Sequence, residues 1–340
     1  MRALVLERNG LDGVHLRDVP DPEPRGDEIL ARVLACGLGG TVLRKVRSVH
    51  QELLPRILGH EAVLEVVAVG DDVDGFSVGD KAVPYYYLTC GECLYCSTDR
   101  RTLCTNHGRG ERRIGEHLDG ALADYILVPA RSLIPVSPDV DPIAMTVAID
   151  AVATPVHVSR RAGAMPGERI AVIGAGGGVG SHLVQVAAHL GLSVIAVDRP
   201  EKLQSLADLI RYDFEAQDPN DAGGLSQKHA SVDVVVDFVG SKGTIEMATG
   251  LLGRGGRLVL LTVDTSTSVT MNGVQLVGSE RSVLGSKYCT PEEVRKAIDL
   301  VSSGAVRPVI TDSGRLEDAP RMLERIARGK TVGRSVVNFA

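Results

Sequence analysis

Four cysteines lie close together in the chain and have the spacing of metal ligands. They fall within fifteen residues, in a loop that also holds Gly91: Cys90, Cys93, Cys96 and Cys104. Four thiolates arranged as a tetrahedron hold zinc in a closed structural site that leaves no position for a substrate. In a reducing compartment such a cluster is better explained by a metal than by disulfides. We therefore predict a structural Zn²⁺ that takes no direct part in a reaction.

A glycine-rich turn between an apolar strand and a helical stretch predicts a dinucleotide site. The apolar run Ile170–Ile173 leads into a turn formed by Gly174, Gly176, Gly177, Gly178, Val179 and Gly180. Backbone N–H groups at a helix N-terminus bind a pyrophosphate, and side chains would block its approach. A glycine run alone also fits an ordinary tight turn. Here a strand and a helix flank it, and Asp198 ends the next strand, where the ribose ligand is expected.

Asp198 also bears on the choice of cofactor. A carboxylate at this position accepts hydrogen bonds from the ribose hydroxyls and repels a 2′-phosphate, which favours NAD(H) over NADP(H). Arg199 follows directly and acts in the opposite direction, because it can pair with a phosphate. We expect NAD(H).

The elements that must position these residues differ between the two halves of the chain. Short apolar runs separated by Gly- and Asp-bearing turns fill the first third: Arg2–Leu6, Ile29–Leu34, Glu65–Val69 and Lys81–Val83. This pattern is typical of a small, partly open β-barrel.

From Ala164 onward, strand and helix patterns alternate. The predicted elements are the strands Arg169–Ile173, Ser193–Val197, Val232–Phe238 and Arg257–Leu261 and the helix Val179–Leu190. This alternation predicts a doubly wound parallel sheet with right-handed crossovers. A helix over Pro291–Ser302 then leads to a short β tail, Lys330–Phe339, which we expect to return to the first domain.

The composition excludes several classes of function. The chain has 340 residues, 44% of them hydrophobic and 24% charged, which suits two globular domains. A net charge of −6 does not indicate the excess of positive charge that is typical of proteins that bind nucleic acid or an anionic membrane. No apolar run approaches the roughly 20 residues of a membrane span, and Met1–Arg8 lacks the features of a secretory signal. We expect a cytoplasmic protein with a small-molecule substrate and neither nucleic acid nor membrane as partner.

Together these features resemble the zinc-containing alcohol dehydrogenase-like, medium-chain dehydrogenase/reductase superfamily, nearly from end to end. The matching motifs are Gly59-His60-Glu61, the four-cysteine lobe, Gly174 to Gly180 followed by Gln185, Asp237-Phe238-Val239-Gly240, Gly285-Ser286 and Gly333-Arg334. The resemblance implies a GroES-like catalytic domain over residues 1–140 and 286–340, with the zinc lobe at 88–106. It implies an inserted Rossmann domain over 141–285, with cofactor contacts that include Val179 and Val239.

The resemblance also implies a catalytic zinc site, which this sequence has only in part. His60 matches the second ligand, with Glu61 beside it as a neighbouring or alternate ligand, and Asp150 matches the third. Gly39 stands where the first ligand, a cysteine, is expected. Thr41 matches the hydroxyl that relays the alcohol proton.

The relay residues around Thr41 have changed as well. Val42 replaces an aspartate of the family, and Arg44 stands where many members carry a relay histidine. Cys36 lies three residues before Gly39, about 10 Å away in an extended segment, so we interpret it as a core cysteine.

Two interpretations of this site remain open. In the first, His60, Glu61 and Asp150 hold a zinc, and Glu61 or water takes the ligand position that the missing cysteine would occupy. In the second, which we favour, the catalytic zinc is weak or absent, and His60, Asp150 and Thr41 act as hydrogen-bond or acid–base groups.

The expected function is hydride transfer between NAD(H) and an activated C=O, C=C or C=N substrate, with little or no help from a metal. The first alternative is a conventional zinc-dependent alcohol dehydrogenase or ketone reductase that uses His60, Glu61 and Asp150. The second is a catalytically silent NAD-binding regulatory protein, which has no chemical need for the retained His60 and Thr41. The identity of the substrate is set by loop residues and does not follow from the fold.

Two further expectations come from the resemblance. Tyr86 matches a position that lines the substrate pocket, whereas the alternative is that Tyr85, Tyr86 and Tyr87 alternate between core and solvent along a strand. The family pairs into dimers or tetramers through the edge of the Rossmann sheet, with Arg257–Val263 as a candidate edge here. We expect a homodimer or homotetramer.

Overall fold

The computed structural model describes residues 1–105, 112–220, 231–262 and 267–339. These residues form two units. The first comprises Met1–Asp150, Thr290–Ser302 and Ile310–Ala340, and the second comprises Ala151–Cys289 and Ser303–Val309. The domain boundaries drawn from the sequence stay a prediction. The zinc lobe predicted over 88–106 is described except for residue 106.

A long strand is the centre of the first unit. Its early strands are β1 (Arg2–Leu6), β2 (Val14–Asp18), β3 (Glu28–Leu38), β4 (Arg56–Ile57), β5 (Glu61–Val69), β6 (Lys81–Pro84), β7 (Tyr87–Leu88), β8 (Arg112–Arg113), β9 (Tyr125–Pro129) and β10 (Leu133–Pro135). On β3, Ile29, Ala31 and Val33 alternate with more exposed residues and are almost fully buried, because every second side chain faces the core.

The second unit is built on six strands that all pair in parallel. These are β11 (Arg169–Ile173), β12 (Ser193–Val197), β13 (Glu215–Gln217), β14 (Val232–Asp237), β15 (Leu252–Leu260) and β16 (Ser282–Gly285). Their order is β13-β12-β11-β14-β15-β16. That is the doubly wound Rossmann order, in which the crevice between the first and fourth strands binds a dinucleotide. The predicted parallel sheet is confirmed.

Two strands from the end of the chain complete the first unit. β17 (Ile310–Gly314) pairs with β18 (Arg334–Asn338), and β18 pairs antiparallel with β3. The main sheet has the order β10-β6-β5-β3-β18-β17, with β9 also paired to β3, and a smaller sheet has the order β2-β1-β4. The expected return of the β tail to the first unit is confirmed.

The described residues include ten α-helices. In the first unit they are α1 (Gly40–Arg47), α2 (Leu94–Ser97), α3 (Pro142–Val147), α9 (Pro291–Ser302) and α10 (Ala319–Ala327). In the second unit they are α4 (Ala153–Ala162), α5 (Gly180–His189), α6 (Pro200–Leu209), α7 (Lys242–Leu251) and α8 (Gly273–Gly278). A turn of π-helix, Ala148–Val152, joins α3 to α4.

Two sequence expectations need correction. The candidate sheet edge at Arg257–Val263 is wrong: β15 is paired on both sides, and β16 forms the edge; residue 263 lies outside the described residues. The statement that no run approaches a membrane span in length is also wrong. Pro142–Ala162 has the length and composition of a spanning helix, but 72% of its apolar window is buried in the structure, as is usual for a core helix.

Candidate functional site

The four cysteines of the lobe converge on one point. Sγ–Sγ distances are 3.5 Å for Cys93–Cys96, 3.5 Å for Cys90–Cys104, 3.7 Å for Cys90–Cys96 and 3.9 Å for Cys93–Cys104. A tetrahedron with Zn–S bonds of about 2.3 Å has edges of about 3.8 Å, whereas a disulfide requires about 2.05 Å. The lobe therefore fits a tetrahedral zinc and no disulfide.

Hydrogen bonds from backbone N–H groups favour the ionised, metal-binding form of one of these thiols. The N–H groups of Thr105 and Cys96 lower the pKa of Cys93 to about 6. At neutral pH this thiol is ionised, and the thiolate is the form that binds zinc. Cys93 precedes α2, and Cys96 lies within it, so a short helix fixes the spacing of these two ligands.

In the second unit, the glycine loop runs from the carboxyl end of β11 to the start of α5. A Cβ at Gly180 would lie 2.9 Å from the Cα of Ala175, and a Cβ at Gly176 would lie 2.8 Å from the Cβ of Lys202. Gly174 has a φ of +84°, which side chains disfavour. The loop therefore accepts only glycine at these points, as close approach to a pyrophosphate requires.

Asp198 directly follows β12 and lies against this loop. Its Oδ2 accepts a hydrogen bond from the N–H of Gly176 at 2.9 Å, and its Oδ1 accepts one from the N–H of Arg199 at 2.8 Å. The guanidinium of Arg199 lies 3.5 Å from the carboxylate of Glu201. Lys202 packs beside the loop, and burial lowers its pKa. Sequence reasoning did not find Lys202, because nothing in the chain marks a lysine in the first turn of a helix as a cofactor neighbour.

Asp237 ends β14, the strand on the other side of β11. Its Oδ1 accepts hydrogen bonds from the N–H groups of Val239 and Gly240, at 2.7 and 3.0 Å. Its Oδ2 is buried and has no hydrogen-bond partner among the described residues. A buried acceptor without a partner is costly. This one lies at the carboxyl end of β14, the end of a parallel sheet at which dinucleotides bind.

In the first unit, three acid–base side chains meet at the end of the central sheet. Nε2 of His60 lies 3.5 Å from Oδ2 of Asp150 and 3.8 Å from Oε1 of Glu61. All three residues are buried. His60 and Glu61 come from the start of β5, and Asp150 comes from the π-helical turn, a geometry that is frequent at functional sites.

A fourth side chain, Arg334 at the start of β18, completes this cluster. Its Nε and Nη2 donate to the two carboxylate oxygens of Glu61 at 2.9 and 2.8 Å, and Nη2 lies 3.7 Å from Oδ2 of Asp150. Burial raises the pKa of Glu61, and the positive charge of Arg334 acts in the opposite direction. Such bidentate pairs are among the strongest polar contacts in proteins.

The guanidinium of Arg334 also fills the space next to Gly39. A Cβ at residue 39 would lie 2.6 Å from Cζ of Arg334. Any larger side chain at position 39, a cysteine included, would overlap with the guanidinium in this position.

Comparison with known proteins agrees with both units. Residues 25–138 match the sequence model of the alcohol dehydrogenase GroES-like domain, and residues 178–303 match that of the zinc-binding dehydrogenases. An alcohol dehydrogenase of Geobacillus stearothermophilus is 31% identical over 344 residues, which cover 96% of either chain. The chain belongs to the zinc-containing alcohol dehydrogenase-like superfamily of medium-chain dehydrogenases/reductases.

Other relatives within this superfamily extend the comparison. An acryloyl-coenzyme A reductase of Sulfurisphaera tokodaii is 30% identical over 345 residues, which cover 99% of either chain. The crystal structure of an alcohol dehydrogenase from Aeropyrum pernix superimposes with a TM-score of 0.90 at 28% identity, over 99% of this chain and 100% of that one. The chain is thus an oxidoreductase with a GroES-like domain and a Rossmann domain.

The cluster at His60 contains three groups that could hold a metal ion, although Gly39 stands where a cysteine ligand is expected. The ligand atoms of His60, Glu61 and Asp150 lie within 4.8 Å of one another. However, both oxygens of Glu61 are bound by Arg334, and Gly39 has no side chain to offer. In this arrangement Arg334 competes with a metal ion for the carboxylate of Glu61.

Thr41 and Arg44 lie one turn apart at the start of α1. Nη2 of Arg44 donates to Oγ1 of Thr41 at 3.2 Å. A guanidinium has no acceptor and does not lose its proton in proteins, so a proton relay cannot continue from Thr41 through Arg44. The arrangement leaves the hydroxyl of Thr41 as a donor rather than as a link in a relay.

Tyr86 and Cys36 have different neighbours. The three tyrosines 85–87 are all buried, with exposures of 4, 5 and 4%, so they do not alternate between core and solvent. Tyr86 packs its ring against that of His60. On β3, Gly37 is opposite Glu61, and consecutive residues of a strand point to opposite faces. Cys36 therefore faces away from the cluster, as expected for a core cysteine.

Proposed function

We propose that this oxidoreductase reduces an electron-poor C=C, C=O or C=N bond with NADH and without a catalytic metal. The observation that carries the proposal is the pairing of His60 with Asp150 beside Gly39, which supplies acid–base groups in place of a full ligand set. A substrate whose carbon is already electrophilic needs less polarisation of its oxygen, so hydrogen-bond donors suffice.

The chain's own residues supply what such a reduction needs. NADH, when bound, gives a hydride from C4 of the nicotinamide; the substrate takes the hydride at the electrophilic carbon and a proton at the partner atom, leaving NAD⁺. Asp150, 3.5 Å from Nε2 of His60, orients the imidazole. His60 is the proton donor we propose, and Thr41 donates a hydrogen bond to the substrate oxygen.

Among the three bond types, a C=C bond conjugated to a thioester is the first substrate class to test. The acryloyl-coenzyme A reductases of Sulfurisphaera tokodaii and Metallosphaera sedula are 30% and 29% identical to this chain over nearly its whole length. The thioester carbonyl withdraws electrons from the double bond, so hydride adds at the β-carbon and a proton at the α-carbon. The donor role proposed for Thr41 suits the carbonyl oxygen of such a substrate.

We also propose that NAD(H) is the cofactor used. Asp198 presents a carboxylate at the glycine loop, where a 2′-phosphate would be repelled. The guanidinium of Arg199 is paired with the carboxylate of Glu201, so Arg199 is less available to bind a phosphate. The free thiols of the chain suit the reducing cytoplasm, where we propose that the protein acts.

The decisive assay follows NADH oxidation at 340 nm with enoyl thioesters, enones, imines and simple ketones, in the presence and absence of a zinc chelator. We expect turnover of the enoyl thioesters or enones at a rate that the chelator does not change, and loss of at least about 100-fold in His60→Ala, as expected for general acid–base catalysis. The absence of NADH oxidation with every class would overturn the proposal and favour a regulatory NAD-binding protein.

One observation supports a conventional zinc enzyme instead. His60, Glu61 and Asp150 are close enough to share an ion if Arg334 gives up Glu61. In that case the chelator would abolish activity, and alcohols or ketones would be the better substrates.

We propose further that the chain assembles into a homodimer or homotetramer through β16 and α8. Val274 and Val277 are 82% and 78% exposed, next to the strand at the edge of the parallel sheet. An edge strand beside apolar side chains is a common site of pairing between copies. Light scattering on the wild type and on Val274→Asp/Val277→Asp tests this, with a monomeric wild type as the contradicting result.

A further inference from the structure

The ion pair between Glu61 and Arg334 spans two strands that do not touch. β5 and β18 both pair with β3, so their backbones lie about 9–10 Å apart. Gly37 of β3 is opposite Glu61 on one side and Val336 on the other. Side chains two residues apart share a face, so Arg334 points to the same face as Glu61.

The chain between the two side chains carries no side chain of its own at the point where they meet. A Cβ at Gly37 would already lie 2.8 Å from Oε2 of Glu61, and a Cβ at Gly39 would lie 2.6 Å from Cζ of Arg334. Gly37 lies near the end of β3, and Gly39 follows that strand in extended backbone as the N-cap of α1, so neither position puts a side chain between Glu61 and Arg334. A thiol at position 39 would take the place of the guanidinium.

The charges of the cluster require a cation. Glu61 and Asp150 are carboxylates, and two basic side chains contact both of them: His60, which is charged only when protonated, and Arg334, which carries a permanent charge. The side chains of Glu61 and Arg334 are only 0% and 4% exposed, so water does not screen them. Buried carboxylates without a positive partner are strongly unfavourable.

We propose that Arg334, admitted by Gly39, is the resident cation of this cluster and excludes a divalent metal from it. Gly333-Arg334 is a motif shared with the superfamily, so the feature particular to this chain is Gly39. Without a thiol at position 39, the guanidinium lies in that space, neutralises Glu61 and leaves the pair of His60 and Asp150 for acid–base work. Arg334 is a positioning residue: it acts through Glu61. The inference rests on the proposed metal-free function, but metal content measures it without any substrate.

The test is zinc per chain, by elemental analysis, after equilibration with excess Zn²⁺ and gel filtration. Wild type should retain about one zinc, in the cysteine lobe, and Arg334→Met about two, because His60, Glu61 and Asp150 then form a three-ligand site. Arg334→Lys, which keeps the charge, should stay at about one. Arg334→Met/His60→Ala should return to about one, and Arg325→Met, which loses an exposed arginine paired with Asp312, should not change from about one.

Loss of a buried cation can prevent a protein from folding, so the folding of Arg334→Met is itself informative. If Arg334→Met folds only when Zn²⁺ is present, the metal has replaced the cation and the proposal is supported. If it fails to fold even with Zn²⁺ while Arg334→Lys folds, the proposal is overturned.

Two further results would also overturn it. One is a second zinc in the wild type that disappears in His60→Ala, and the other is a folded Arg334→Met that retains a single zinc. The proposed function is tested separately from this inference. A wild type that reduces an enoyl thioester with chelator present, combined with an Arg334→Met that gains no zinc, would leave the function intact and remove this inference alone.

Discussion

The imidazole ring of His60 lies 4.4 Å from the phenol ring of Tyr86, centroid to centroid, with the ring planes at 38°. The next tyrosine, Tyr87, meets Tyr86 edge to face at 4.9 Å. His60 is therefore held from two directions, by the ring of Tyr86 and by the carboxylate of Asp150 at 3.5 Å. We interpret this arrangement as orientation of the imidazole for proton transfer.

Two substitutions of Tyr86 separate the effect of its ring packing on activity from the effect of its phenol oxygen. Aromatic contacts of this kind contribute about 0.5–1.5 kcal/mol, so we expect Tyr86→Leu to lower kcat/KM about 2- to 10-fold and Tyr86→Phe to retain nearly all of it. Burial raises the pKa of Tyr86 above its ordinary value of about 10, so the phenol stays neutral up to pH 9. The pH–rate profiles of wild type and Tyr86→Phe should coincide over that range. A shifted alkaline limb in Tyr86→Phe would mean that the phenol itself takes part in proton transfer.

Loss of one cysteine of the lobe should remove the structural metal. Cys104→Ala leaves three thiolates where a closed zinc site needs four ligands, so zinc per chain should fall from about one towards zero and the melting temperature should drop. Elemental analysis and thermal unfolding monitor the two effects. Cys36→Ala is the matched control, since the pKa of this buried thiol is raised and its side chain faces away from the cluster at His60. Zinc loss in Cys36→Ala would show that Cys36 serves as a ligand after all.

The charge of Asp198 should set the preference between the two nicotinamide cofactors. Asp198→Asn keeps an oxygen for the N–H of Gly176 but loses the charge that binds the ribose and repels a 2′-phosphate. Hydrogen bonds to charged groups contribute about 1.5–3 kcal/mol, so the Kd for NADH should rise at least about 10-fold, and that for NADPH should fall. Fluorescence titration measures both. Asp208→Asn, an exposed carboxylate on α6, should change neither by more than about 2-fold; a wild type that prefers NADPH would contradict the argument.

The sequence predicted the scaffold well, because hydrophobic period and turn residues are local signals. The apolar runs over Arg2–Leu6, Arg169–Ile173 and Ser193–Val197 became β1, β11 and β12 with unchanged bounds, and the helix over Pro291–Ser302 did the same. A strand between Gly- or Asp-bearing turns has both ends marked in the chain. The tetrahedral approach of the cysteines followed equally from their spacing.

The contacts within the cluster at His60 could not be predicted in the same way. Glu61 and Arg334 are 273 residues apart, and only the pairing of β5 and β18 with the same strand brings them together. Gly39 was recognised as a missing ligand, but its role in making room for an arginine depends on the register of β3 and β18. The π-helical turn that carries Asp150 was also missed. It lies between α3 and α4, and the pattern of apolar residues does not distinguish a π-turn from the α-helices on either side.

The last prediction concerns Thr41 and the arginine that holds it. Oγ1 of Thr41 accepts a hydrogen bond from Arg44, so the hydroxyl proton is directed elsewhere, and we propose that it polarises the substrate oxygen. Loss of one such donor costs about 100-fold or more in kcat in other enzymes, so Thr41→Val should lower kcat by about 100-fold with little change in KM.

Arg44→Met removes only the support of that hydroxyl. A single hydrogen bond contributes about 0.5–1.5 kcal/mol, so its effect on kcat should be about 2- to 10-fold. Because Arg44 only supports the hydroxyl of Thr41 and is no part of the proposed proton transfer, the pH–rate profile should keep its shape. Arg47→Met, an exposed arginine on the same helix, is the control and should retain full activity. If Arg44→Met behaves like Arg47→Met while Thr41→Val is inactive, Thr41 acts without Arg44; if Thr41→Val is fully active, the substrate oxygen is polarised by another group.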